Sequence, residues 1–110
     1  MNKYYPDRWL VVKISSSSGS HYRVFGSWYG GFANGDSWKL NSGIESVELD
    51  SGKYLFKGSS GSVYCCDSSS YGIHSYGHSV LSGLIASSKE SGSNIEILDE
   101  STDWLSLEYK

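Results

Sequence analysis

The residues that could do chemistry are few, and most are badly spaced for it. Cys65, Cys66, His74 and His78 are metal-binding types, and the two histidines stand at an i, i+4 spacing that suits a shared ligand. The cysteines are adjacent on an expected strand, so their side chains leave opposite faces and an ordinary disulfide between them would distort the backbone. That leaves one Cys with two His. The plainer reading puts one Cys in the core, the other half-exposed and the histidines at a helix start, so no metal is assigned.

Gly77-His78-Ser79-Val80-Leu81 opens like a nucleophile elbow, but that turn closes tightly only with glycine at its fifth position, where Leu81 stands. The glycines between Gly26 and Gly35 match neither G-x-G-x-x-G nor a P-loop. Carboxylates for acid–base work could come from Glu45 and Glu48, or from Glu96, Asp99, Glu100, Asp103 and Glu108. Such work needs a pocket that raises one pKa, and a chain of 110 residues has little surface to spare for one. No catalytic residue and no cofactor are expected. The second acidic group, crowded into a turn between two strands, serves equally well as a docking edge.

Aromatic residues make up 15% of the chain, with nine Tyr and four Trp. Two-residue alternation sends Trp28 and Tyr29 to opposite faces, so one is core and the other is at the surface or under a further layer. An exposed Trp or Tyr beside small residues anchors protein partners or stacks on sugar rings. The candidate partner-binding set is therefore Trp28, Tyr29 and Trp38 with Glu96, Asp99, Glu100 and Asp103.

Charge narrows the partner. The net charge is −3 and the pI about 5.5, and the nine Lys and Arg are scattered singly. Phosphate backbones need clustered cations, so nucleic acid is disfavoured and a basic protein suits better. No apolar run approaches the ~18 residues of a membrane span, and no secretory leader is recognisable at the start. With no disulfide framework, the expected location is cytoplasmic.

The elements that must position these residues are mostly strands. The organising stretch is Tyr22 to Ile44, read as a hairpin turning at Asn34-Gly35 in a type I′ turn. That register sets Phe32 opposite Ser37, Gly31 opposite Trp38 and Tyr29 opposite Leu40, with Gly31 leaving room for the indole. Before it, Arg8 to Ser15 alternates, and Leu10, Val12 and Ile14 form the better core face. Pro6 in the lead-in blocks regular pairing.

After the hairpin, residues 44–49 and 53–57 pair across Ser51-Gly52, placing Leu49 opposite Tyr54, Val47 opposite Phe56 and Asp50 opposite Lys53. A further strand runs from Ser62 to Asp67. Val80, Leu81, Leu84 and Ile85 then form a helical stripe over 76–90, with Ser75 as N-cap and Lys89 and Gly92 at the end. Gly83 within it suggests close approach to the sheet. Residues 94–99 and 104–109 return to strand. Serine, about a fifth of the chain, fills turns and loop edges far beyond its average usage.

The reading is one domain over 1–110, mainly β: an antiparallel meander or partly open barrel of about seven to eight strands with one helix on it. The functional expectation is a small non-catalytic protein-binding domain, an inhibitor or immunity-type protein that neutralises a basic partner. The alternatives are a carbohydrate or small-ligand module using its Trp and Tyr, and a self-associating structural protein, for which a homodimer would bury an open edge.

Overall fold

The computed structural model describes residues 2–29, 37–73 and 75–109. Its architecture follows from a strand apolar on both sides. In β2 (Arg8–Ser16), Trp9 and Val11 face one way and Leu10 and Val12 the other, and all four are buried. A strand with two apolar faces must be covered twice. Leu10, Val12 and Ile14 do face a core, as alternation indicates, but the Trp9–Val11 face supports a second and larger one.

β2 sits inside an antiparallel sheet with β3 (Gly19–Trp28), β4 (Ser37–Leu40) and β8 (Asn94–Ile97), in the order β4-β3-β2-β8. The second sheet is mixed. It has the order β1-β7-β6-β5, from β1 (Lys3–Tyr4), β7 (Val63–Asp67), β6 (Lys53–Gly58) and β5 (Ile44–Asp50). The two residues of β1 run parallel to β7, so the lead-in does pair, just ahead of Pro6. The molecule is thus mainly β, eight strands in two sheets with one helix among the described residues, and no closed barrel.

The sheets meet over Trp9, Val11, Val24, Ile44, Phe56, Tyr64 and Cys66, with Trp104 inserted among them. The other face of the β2 sheet, with Leu10, Val12 and Phe25, is covered by Ile73 and by α1 (Ser75–Glu90) through Leu81, Val80, Leu84 and Ile85. The layers are therefore sheet, sheet, helix. The helix begins one residue before the expected span, which makes Ser75 helical and not its cap. Its end is a Schellman motif: Gly92 has φ +84°, its N–H donates to Lys89 O at 3.2 Å, and Ser93 N–H donates to Ser88 O at 2.8 Å. Gly83 makes no close approach, for a Cβ there would meet nothing within 4 Å.

Two hairpins contrast. β5 and β6 pair in the expected register, Val47 with Phe56, Leu49 with Tyr54 and Asp50 with Lys53, closed by Ser51 (φ +52°) and Gly52 (φ +80°). Lys53, however, forms its ion pair with Asp67 at 3.7 Å and not with Asp50. β3 and β4 do pair antiparallel, but Phe25 faces Leu40, Ser27 faces Trp38 and Trp28 faces Ser37. Leu40 is therefore not opposite Tyr29, nor is Trp38 opposite Gly31. The turn expected at Asn34-Gly35 lies outside the described residues.

The two β3–β4 registers differ by an even number of residues, so both put the same side chains on the same faces and alternation cannot choose between them. The observed one stacks Trp38 on Phe25, ring centres 5.6 Å apart and planes within 10°. The bare glycine that makes room for an indole is Gly26, where a Cβ would meet the Trp28 ring at 3.2 Å and Pro6 Cβ at 3.2 Å.

Candidate functional site

The expected last strand, 104–109, does not form, and its failure creates the most open feature of the surface. Asp99 and Asp103 each turn the chain locally. Asp99 Oδ2 accepts from Ser101 N–H at 3.0 Å and from the Ser101 hydroxyl, and Asp103 Oδ1 accepts from Leu105 N–H at 3.2 Å. Backbone bonds from Thr102 N–H to Asp99 O and from Ser106 N–H to Asp103 O complete two successive turns. Asp side chains that bond two residues ahead compete with a strand ladder, and here they win. The Ser101 bonds hold the Asp99 carboxyl below its usual range.

This turned segment is anchored at Trp104. Its ring is 3% exposed and packs at 5.6 Å from Trp9, 5.3 Å from Tyr71 and 6.4 Å from Phe56. Trp104 O then accepts the Tyr109 hydroxyl at 2.5 Å, and the Tyr109 ring meets Tyr22 edge-on at 5.6 Å. Burial, and next the neighbouring Tyr22 and Asp103, push the Tyr109 phenol well above its ordinary pKa. The chain after Trp104 is thus held alongside β5 without pairing to it.

Between them lies a shallow groove of about 410 Å³. Val47, Leu105, Leu107 and Tyr109 give it apolar surface, and Glu45 and Glu108 give it charge. Leu105 is half exposed, at 50%, and adds to the apolar surface that Val47, Leu107 and Tyr109 give the groove. Among the described residues the lining holds no cation. β5 is the end strand of its sheet, so one of its edges has no strand neighbour among the described residues. Glu48 on the same strand pairs with Lys57 at 3.2 Å.

The residues singled out from the sequence do not form one patch. Trp28 is half-buried, donating from Nε1 to Tyr5 O at 3.0 Å, with Tyr4 edge-on at 6.5 Å. Tyr29, also half-buried, donates its N–H to Asp7 Oδ2 at 2.8 Å. Trp38 pairs across from Ser27, so it lies on the helix side of the sheet while Trp28 lies on the other, and it is 38% exposed. Trp38 is on the edge strand β4 with Trp28 on β3 beside it, whereas Glu96 is on β8 at the opposite edge. Three strand spacings, roughly 14 Å, separate those edges. Asp99, Glu100 and Asp103 are all exposed, in the turns between β8 and Trp104.

The metal-type residues are also dispersed. Cys65 and Cys66 do face opposite ways, but both are buried, at 6% and 0% exposure, so Cys65 is not half-exposed. Both are free thiols. Burial, and then Cys65, push the Cys66 thiol well above its ordinary pKa. His78 is exposed on α1, and His74 lies outside the described residues. Among the described residues no three metal-binding side chains come together.

The sequence reading missed the groove as a unit. Its acidic residues were visible as candidate carboxylates, but reading 104–109 as a strand hid the role of Leu105, Leu107 and Tyr109. The signal was the Asp-x-Ser and Asp-x-Leu spacing at Asp99 and Asp103, which favours turns.

Comparison with protein-family models, with curated proteins and with solved structures finds no match to this chain. No helix among the described residues is long and apolar enough to cross a membrane.

Proposed function

We propose that the chain is a small, non-catalytic protein-binding domain, of inhibitor or immunity type, whose partner presents basic and apolar side chains to the groove between β5 and the C-terminal segment. The observation that carries this reading is the groove itself: exposed leucine and tyrosine surface flanked by Glu45 and Glu108, beside a strand edge without a neighbour. Apolar surface ringed by like charge is what a specific partner desolvates, with the charges steering and orienting it.

The same charge argues against self-pairing. β5 carries Glu45, Glu48 and Asp50, so two copies edge to edge would concentrate negative charge along one seam. Asp99, Glu100 and Asp103, on the segment that leads into the groove, extend the negative field. The free thiols support a reducing, cytoplasmic setting.

The test is a tagged pull-down from the producing cells at low and high salt. One stoichiometric basic protein, released by salt, is the expected result; recovery of the bait alone at both salts contradicts the reading. One observation favours a second reading, a carbohydrate module. Trp38 is 38% exposed and its ring lies nearly parallel to that of buried Phe25, an arrangement a sugar-stacking platform can use. Tryptophan fluorescence titrated with a sugar panel supports that module by a saturable shift and dismisses it by flat traces.

A further inference from the structure

Among the described residues β1, β4, β5 and β8 end the two sheets, and β5 is the longest of them. β1, β4 and β8 have two, four and four residues, whereas β5 has seven. The groove beside β5 lies along its edge and not over one of its faces. Ser46 pairs with Lys57 and Val47 with Phe56, so their side chains leave opposite faces of the sheet, yet both line the groove. Only a space at the edge of the strand meets both.

The hairpin register shows which backbone groups face that space. Across the two-residue turn at Ser51-Gly52, Asp50 and Lys53 form the closing pair that exchanges both ladder bonds, and Glu48 with Leu55 repeats the pattern. The alternate residues, Val47 and Leu49, therefore turn their N–H and C=O groups outward. Among the described residues no backbone bond reaches them there.

The side chains along this edge sort by face. Val47 lies opposite Phe56 and Leu49 opposite Tyr54, on the side of the core between the sheets, yet Leu49 is 51% exposed. Leu105 and Leu107 stand across the groove from Val47. Glu48 and Asp50 are on the outer side of β5, and both are exposed. Glu45, at the register shift between Ile44 and Ser46, and Glu108 add two more carboxylates to the groove.

We infer that the partner docks by adding a strand to β5, through an extended segment in which Lys or Arg alternates with apolar residues. This mode of docking rests on the groove being the partner's site. The alternation follows from strand pairing itself. Residues set opposite Val47 and Leu49 share their face and meet apolar surface, and those opposite Glu48 and Asp50 meet carboxylates. Main-chain bonds to Val47 and Leu49 supply affinity, and the alternate side chains supply selection. A second copy of β5 carries the wrong charge for this role, because its own outer positions are Glu48 and Asp50.

The experiment is an NMR titration of the full chain with two short peptides of equal composition. One alternates Lys with Val, and the other holds its Lys and Val in separate blocks. Strand addition predicts saturable binding of the alternating peptide, with hydrogen exchange at the Val47 and Leu49 amides slowed at least tenfold. It also predicts at least tenfold weaker binding of the block peptide. Methylating the Val nitrogens of the alternating peptide removes the bonds of an antiparallel addition, and methylating the Lys nitrogens removes those of a parallel one. One of the two methylated forms should therefore lose binding. Equal binding of the alternating and block peptides at the groove, with exchange at Val47 and Leu49 unchanged, overturns strand addition and leaves the docking site standing. Full binding by both methylated forms does the same. No saturable binding of either peptide overturns both.

Discussion

Tyr71 shows how much one side chain can hold. Its hydroxyl accepts from Val11 N–H at 3.3 Å and donates to Leu98 O at 2.5 Å, tying the central strand to the segment that follows β8. Its ring packs edge-on against Trp9 at 4.8 Å, and Trp9 in turn donates from Nε1 to Asp67 O at 2.7 Å. Replacing it, Tyr71→Phe, keeps the ring but strands a donor and an acceptor, and should cost about 1–3 kcal/mol in denaturant unfolding. Loss of nothing measurable would show that water replaces the hydroxyl.

The same burial predicts alkaline behaviour. Desolvation is the main cause that lifts the phenols of Tyr64 and Tyr71 from 10.0 to about 12. In the unfolded chain they ionise near their ordinary value, so the folded state gains from them below pH 10 and loses that gain as the pH rises from 10 towards 12. Tyrosinate absorbance should therefore show a late-titrating class that ionises together with loss of the fold. Uniform titration near pH 10 with the fold intact would contradict the burial of these rings.

At the scale of elements, most of the fold was legible and the exceptions have physical causes. The β5–β6 register was readable because Ser51-Gly52 leaves no slack between the strands. The β3–β4 register was not, because an even slip preserves both faces and ring packing made the choice. The segment after β8 alternates like a strand, yet the Asp99 and Asp103 side chains bond its backbone first. Gly83 was read as a contact point when it is an exposed interior helix position with open space about it. Gly83→Ala should therefore raise stability by about 1 kcal/mol through helix propensity alone. A destabilised variant would mean that something does approach that face.

The candidate site was legible only in its pieces. Glu45 and Glu108 stood out as carboxylates, but nothing local says that β5 and the C-terminal segment lie side by side. That juxtaposition is set by Trp104 entering a core between two sheets, a long-range event with no sequence period. The structure divides the aromatic candidates Trp28 and Trp38 between the two faces of the β3 sheet.

For the whole molecule, a doubly covered central sheet leaves function to the edges. One edge region carries a negative, apolar groove in a domain of modest net charge. A basic protein docking in the groove would meet Glu45 and Glu108 directly. The most direct measurement is the affinity of the captured partner, across a salt series, for the wild-type chain and for the double variant Glu45→Lys/Glu108→Lys. Both positions are exposed, so the variant should keep its fold. Docking at the groove should show as at least a tenfold loss of affinity and a shallower salt dependence in the variant. Equal affinity with an unchanged salt slope would place the partner elsewhere and contradict it.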